Sequence, residues 1–291
     1  NANCEFGADG KMLNGIVENN GVLYYYEDGR AKMAGLVEID GDYYFAGGAN
    51  GEITVNKVTY VWKANSIALD NANCEFGADG KMLNGIVEKD GTLYYYVMGR
   101  PKMAGLINID GDYYFAGGAN GEITVGKKTY VWDGNGLLPE ATYEFGADGK
   151  MLNGIVEKNG TLYYYRNGKA ELAGLVEADG AYYFVSGVNG EITVDKKTYV
   201  WDGNGLLPEG HYEFDADGKM LNGFITKADG IYYYQNGKPG RVGLNYIDGD
   251  YYFVDYGGKL FTNGTYFVWE TNGYSIAMKY TFDELGRLIL K

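Results

Sequence analysis

Residues 1–18 recur letter for letter as 71–88, and residues 39–55 recur in the same way as 109–125. The motif Phe-Gly-Ala-Asp-Gly-Lys-Met-Leu-Asn-Gly opens at Phe6, Phe76 and Phe145, with a variant at Phe214 and a degenerate echo at Phe282. These landmarks set spacings of 70, 69, 69 and 68 residues. A fixed period of this kind marks an array in which each unit buries its apolar face on its neighbours. It also constrains function, because a feature that appears four times is a binding or stacking surface before it is an active site. Catalytic constellations are assembled once, from residues with different roles.

The array divides into repeats 1–70, 71–139, 140–208 and 209–276, with a closing hairpin at 277–291, read together as a single repeat domain. Inside the first repeat the aromatic residues cluster at Phe6, Leu23 to Tyr26, Tyr43 to Phe45, and Tyr60 to Trp62. Between the clusters lie Asp9-Gly10, Asp28-Gly29, Asn50-Gly51 and Ala64-Asn65; the first three are dipeptides favoured by two-residue hairpin turns with positive φ. The sequence therefore predicts four hairpins per repeat, about seventeen in all. With 30 Tyr against 12 Phe, and 47 Gly against 4 Pro, the chain suits many short aromatic strands joined by tight turns. The expected fold is all-β, an elongated β-hairpin solenoid built from tandem aromatic-rich repeats. A lone hairpin is marginal in water, so these must stack.

The formal charge of −14 excludes the basic stripe that nucleic-acid binding requires. A neutral glycan, a cationic headgroup or an anionic polymer bridged by divalent ions remains compatible. No run approaches the roughly 18 apolar residues of a membrane helix, so no membrane insertion is expected. Asn1 falls within the repeating pattern, so the chain reads as a fragment or mature product. Cys4 and Cys74 occupy equivalent positions in successive repeats, where the third and fourth carry Tyr143 and Tyr212. One full repeat apart, they are poorly placed for a disulfide.

The segment Gly35-Leu-Val-Glu-Ile-Asp-Gly-Asp-Tyr-Tyr-Phe45, repeated over 105–115 with Ile and Asn in place of Val and Glu, together with Gly10-Lys-Met-Leu-Asn-Gly15, resembles the bacterial cell-wall-binding repeat superfamily. That group takes in choline-binding modules, glucan-binding repeats and the C-terminal repeats of clostridial toxins. The resemblance covers essentially the whole chain. It implies a hairpin solenoid on a secreted or surface bacterial protein, binding a glycan or cell-wall polymer and commonly trailing another domain. Choline modules build a cation cage from Trp. At the first cage position this chain carries Ile16, Leu36, Ile86, Leu106, Ile155, Leu175 and Phe224, and at the second Leu23 or Tyr43 types. Aliphatic side chains supply no ring quadrupole for a cation. The pattern is closer to the toxin-type repeats, whose resemblance implies carbohydrate recognition between successive hairpins.

Two sets of residues are candidate contacts. Strand alternation puts Tyr60 with Trp62, Tyr130 with Trp132, Tyr199 with Trp201, and Phe267 with Trp269 on one face, a flat apolar platform suited to a pyranose. The competing expectation is that each Trp plugs the core. The resemblance implies that a second set lines an inter-hairpin groove: Tyr43 with Phe45, Tyr113 with Phe115, Tyr182 with Phe184, and Tyr251 with Phe253. The Asp40-Gly-Asp42 type of pair is read as turn chemistry. Asn159-Gly-Thr161 and Asn263-Gly-Thr265 fit a glycosylation pattern but are equally Asn-Gly turns. For catalysis there is one histidine, His211, with Ser only at 66, 186 and 275 and no clustered metal ligands. No catalytic residue, metal or cofactor is expected. The reading is a non-catalytic multivalent carbohydrate or cell-wall-polymer binder; the alternative is a structural spacer, adhesin stalk or self-associating surface fibre.

Overall fold

The computed structural model describes residues 4–62, 65 and 71–289. Ala64 of the fourth turn dipeptide, Ser66 and Leu290 at the end of the closing segment lie outside the described residues. Among the described residues every regular element is a β-strand, and the strands form four three-stranded and eight two-stranded antiparallel sheets. The chain folds as two compact units, Asn1–Met151 and Leu152–Lys291.

In the first unit, β1 (Gly15–Asn19), β2 (Val22–Glu27) and β3 (Arg30–Ala31) make one sheet, β4 (Gly35–Ile39) pairs with β5 (Asp42–Ala46), and β6 (Lys57–Val61) pairs with β7 (Ala72–Phe76). The series repeats as β8 (Gly85–Lys89), β9 (Thr92–Val97), β10 (Arg100–Pro101), β11 (Gly105–Ile109), β12 (Asp112–Ala116), β13 (Lys128–Val131) and β14 (Ala141–Glu144). The second unit runs through it twice more. Its strands are β15 (Gly154–Lys158), β16 (Thr161–Arg166), β17 (Lys169–Ala170), β18 (Gly174–Ala178), β19 (Ala181–Val185), β20 (Lys196–Val200) and β21 (Gly210–Phe214), then β22 (Gly223–Lys227), β23 (Gly230–Gln235), β24 (Lys238–Pro239), β25 (Gly243–Ile247), β26 (Asp250–Val254), β27 (Gly264–Val268) and β28 (Met278–Phe282).

Each period thus holds three hairpin sheets, where the turn dipeptides predicted four hairpins. Of those dipeptides, Asp28-Gly29 joins β2 to β3, whereas Asp9-Gly10 and Asn50-Gly51 close single bridges, Phe6 to Met12 and Ala46 to Ile53. The tight turns of the two main hairpins are Asn20-Gly21 and Asp40-Gly41. Both residues of each have positive φ, 49° and 78° in the first and 52° and 85° in the second, the pair that matches the twist of the flanking strands. The third hairpin has a long connection and joins strands on either side of the 70/71 repeat boundary. The same pairing brings β28 back to β27, so residues from 278 on complete a hairpin begun at Gly264.

Strand β5 explains how the hairpins stack. Phe45 is 3% exposed and faces Leu36, Val61, Cys74, Phe76 and Met82, while Tyr44 and Ala46 face Ile53 on the other side. Apolar clusters on both faces make β5 the central strand of its neighbourhood, and the same arrangement recurs at β12, β19 and β26. Backbone bonds knit successive hairpins as well: Ile53 N–H donates to Leu23 C=O and Met82 N–H to Tyr43 C=O, each at 2.8 Å. Cys74 is fully buried where the next repeats place Tyr143 and Tyr212, whose hydroxyls donate to the carbonyls of Pro139 and Pro208. The position is a packing one.

Candidate functional site

The strand Tyr60-Val61-Trp62 shows how the sequence aims its rings. Val61 is 0% exposed and points into the core, so alternation sends Tyr60 and Trp62 outward, where they are 53% and 42% exposed. The other repeats do the same: Val131, Val200 and Val268 are buried, whereas Tyr130, Trp132, Tyr199, Trp201, Phe267 and Trp269 are all exposed. No Trp is a core plug. Each instead rests edge-to-face on the buried Phe of the neighbouring hairpin, Trp62 on Phe45 at 6.0 Å and Trp132 on Phe115 at 5.9 Å between ring centroids. The hydroxyls of Tyr130 and Tyr199 meet carboxylates, Tyr130 donating to Glu140 at 3.5 Å and Tyr199 to Glu209 at 3.1 Å, a bond that raises the Tyr199 pKa.

The second set splits. Phe45, Phe115, Phe184 and Phe253, expected at a groove, are at most 3% exposed, because their strands lie between two apolar clusters. They are core and out of a ligand's reach. Their partners Tyr43, Tyr113, Tyr182 and Tyr251 are half-buried against the same clusters. Tyr182 does border a groove of about 240 Å³, together with Asp215, Lys219, Asn222 and Asn236.

A larger groove of about 620 Å³ lies in the third repeat and brings Trp201 together with Tyr164, Arg166, Leu172, Glu177, Asp202 and Leu206. Arg166 sits 5.7 Å from the Tyr164 ring centroid and pairs with Glu171 at 2.9 Å. In the second repeat, Tyr130 and Trp132 wall a separate cleft of about 350 Å³ against Gly117 and Gly118. An apolar ring flanked by hydrogen-bonding groups can stack on the flat apolar face of a ligand and bind its polar groups at the rim.

Sequence reasoning missed the residue that fixes the Trp-bearing loop. Asn204 has φ 48°, and its side-chain amide donates to the carbonyls of Ala173 and, at 2.7 Å, of Leu175. Asn65, Asn135 and Asn272 repeat this clamp onto the hairpin before them. The strict Trp-x-x-Asn spacing in all four repeats is its sequence signal. Tyr164 was also missed, since a triple-Tyr strand does not disclose which ring will meet the groove.

Remaining motifs are structural. Asp40 and Asp110 sit in hairpin turns at φ 52°, and Asp42 and Asp112 pair with Lys81 and Lys150 at 2.5 and 2.6 Å. Asn159 takes the hairpin-turn conformation, and His211 lies across the strands from Tyr199, with ring centroids 5.3 Å apart. Among the described residues no group of three or more His, Cys, Asp or Glu is placed to hold a metal ion, and no helix is long and apolar enough to cross a membrane.

No family model matches the chain. Its sequence is 30% identical over 244 residues to Glucosyltransferase-S of Streptococcus mutans serotype c, covering 75% of this chain and 15% of that protein. The chain resembles the bacterial cell-wall-binding repeat superfamily. Solved structures similar to this chain include choline binding protein F of Streptococcus pneumoniae, at 21% identity and a TM-score of 0.34 over 96% of this chain and all of that one. Another is the modular autolysin LytC of the same species, at 17% identity and a TM-score of 0.30, covering 88% of this chain and 50% of that one.

Proposed function

We propose that this chain is a non-catalytic, multivalent module that binds a carbohydrate or cell-wall polymer, as part of a secreted or surface bacterial protein. The observation that carries this reading is the recurrence, in every repeat, of a buried Val flanked by two exposed rings. Core packing needs the Val; it does not need two large aromatic side chains in water on either side of it. Weak sites repeated on one scaffold gain by effective concentration, roughly 10² to 10⁴ in avidity without new contacts. The likeness to part of Glucosyltransferase-S makes glucose polymers the first probes.

The test is a pull-down on insoluble glucan and on purified bacterial cell walls, comparing the native chain with a Trp62→Ala, Trp132→Ala, Trp201→Ala, Trp269→Ala variant whose fold is verified by circular dichroism. Retention of the native chain and loss of the variant support the module. Equal retention of both, or of neither, sinks it. The spacer or self-associating fibre reading would then be the one to pursue, starting with light scattering over a range of concentrations.

A further inference from the structure

Four copies of one scaffold permit an internal comparison of surface positions. At three of them the fourth repeat gains a tyrosine. At the loop tip after the Tyr-Tyr-Phe strand, Ala49, Ala119 and Val188 give way to Tyr256. The backbone fixes that equivalence: Gly258 N–H donates to Asp255 C=O as Gly51 N–H donates to Gly48 C=O and Gly190 N–H to Gly187 C=O. At the groove position of Glu38, Asn108 and Glu177 stands Tyr246, and at that of Leu137 and Leu206 stands Tyr274.

None of these is a core change. Tyr256 is 80% exposed, and Tyr246 and Tyr274 are 54% exposed each. The Tyr256 ring lies in a plane 19° from that of Trp269, with centroids 6.5 Å apart. Tyr246 and Tyr274 each meet Tyr251, at 4.8 and 5.6 Å. Exposed rings in such number are a liability for solubility and mark an interaction surface. Tyr in particular offers an apolar face with a wet hydroxyl at its edge, which suits a sugar ring. Placing Tyr246 where two other repeats have Glu removes a carboxylate that a cationic ligand would need, while the net charge of −14 repels a polyanion, which together favour an uncharged ligand.

We infer that the fourth repeat carries the dominant site of the chain, an extended aromatic surface of Tyr246, Tyr256, Trp269 and Tyr274 that takes uncharged sugar rings. This rests on the glycan-binding reading above and adds which repeat leads and which sugar chemistry it selects. The decisive experiment is calorimetric titration with dextran, an uncharged glucan, and with alginate, a polyuronate. The variant Tyr246→Glu, Tyr256→Ala, Tyr274→Leu installs side chains or close equivalents that the same scaffold already carries elsewhere, and its fold is verified by circular dichroism before titration. The expected result is tighter binding of dextran than of alginate, and a loss of about tenfold in dextran affinity in the triple variant, against less than about threefold for Trp132→Ala. If the triple variant binds dextran like the native chain while removal of all four Trp abolishes binding, this inference falls and the glycan reading stands. If neither change alters affinity, the glycan reading falls with it. Preference for alginate, absence of dextran binding, or a dimer that the triple variant abolishes would each overturn the assignment, the last giving this surface to a second copy of the chain.

Discussion

Trp201 meets Phe184 edge-to-face, with ring centroids 5.8 Å apart and planes at 65°. Phe184 is 1% exposed and Trp201 40%, so the contact joins the core to the surface. A buried ring holds the exposed one in place, so the proposed stacking of a ligand on Trp201 requires little ordering of the side chain.

Replacement of Trp201 by Ala should therefore divide its effects. Stability is expected to fall by about 0.5–1.5 kcal/mol from loss of the aromatic contact, whereas Phe184→Ala should cost about 3–5 kcal/mol by opening the core. Urea denaturation followed by circular dichroism measures both. A Trp201→Ala cost as large as that of Phe184→Ala would make the Trp a core residue in energetic terms.

The Asn204 clamp separates conformation from hydrogen bonding. Asn204→Gly keeps access to φ 48° and loses two side-chain bonds, for an expected cost of about 1–3 kcal/mol. Asn204→Ala should cost about 1–2 kcal/mol more, because Ala is strained in the left-handed region. Limited proteolysis should find the loop around 202–207 cut first in both variants. Equal stability of the Gly and Ala variants would show that the left-handed backbone at this position carries no cost.

A half-buried acid, Glu75, ties neighbouring hairpins. The Glu75 carboxylate accepts from the Tyr96 hydroxyl at 2.7 Å and from Lys89 Nζ at 2.5 Å. Burial pushes its pKa up, but the bonds from Lys89 and Tyr96 outweigh that and leave it below the ordinary value. A depressed folded pKa means stability that is present above the unfolded pKa, about 4.3, and lost as pH falls through the folded value. Glu75→Gln should be less stable than the native chain at pH 7 and should flatten the loss of stability below about pH 4. An unchanged slope in denaturation midpoint against pH would contradict this role.

Cys74 is 0% exposed, and burial raises its thiol pKa against a smaller opposing effect of Arg100. It should react with a thiol reagent only on unfolding. Mass mapping after native and denatured labelling reports this; rapid native labelling of Cys74 would show that the cluster opens.

Much of this architecture was legible in the chain. The period, the antiparallel aromatic strands and the Asp-Gly or Asn-Gly turns follow from local chemistry, and the shared face of Tyr60 and Trp62 follows from the two-residue period of a strand, whereas alternation alone does not say whether that face is core or surface. The hairpin count did not follow, because Asp9-Gly10 and Asn50-Gly51 satisfy the same turn preferences whether they close a full hairpin or a single bridge. The third hairpin was hidden because β6 and β7 are separated by a long connection without a two-residue turn. The burial of Phe45 was hidden because an aromatic strand looks the same in sequence whether one face or both are covered. Asn204 was hidden because its partners lie about 30 residues earlier.

The central claim is that the exposed Trp of each repeat is a ligand contact. Titration of dextran into the native chain, followed by Trp fluorescence and calorimetry, tests it most directly when repeated with Trp62, Trp132, Trp201 and Trp269 replaced singly and then together by Ala. The expected result is a fluorescence change on binding, a partial loss of affinity with each single replacement and no binding by the folded fourfold variant. Full affinity in the fourfold variant, with the fold verified, would contradict the claim.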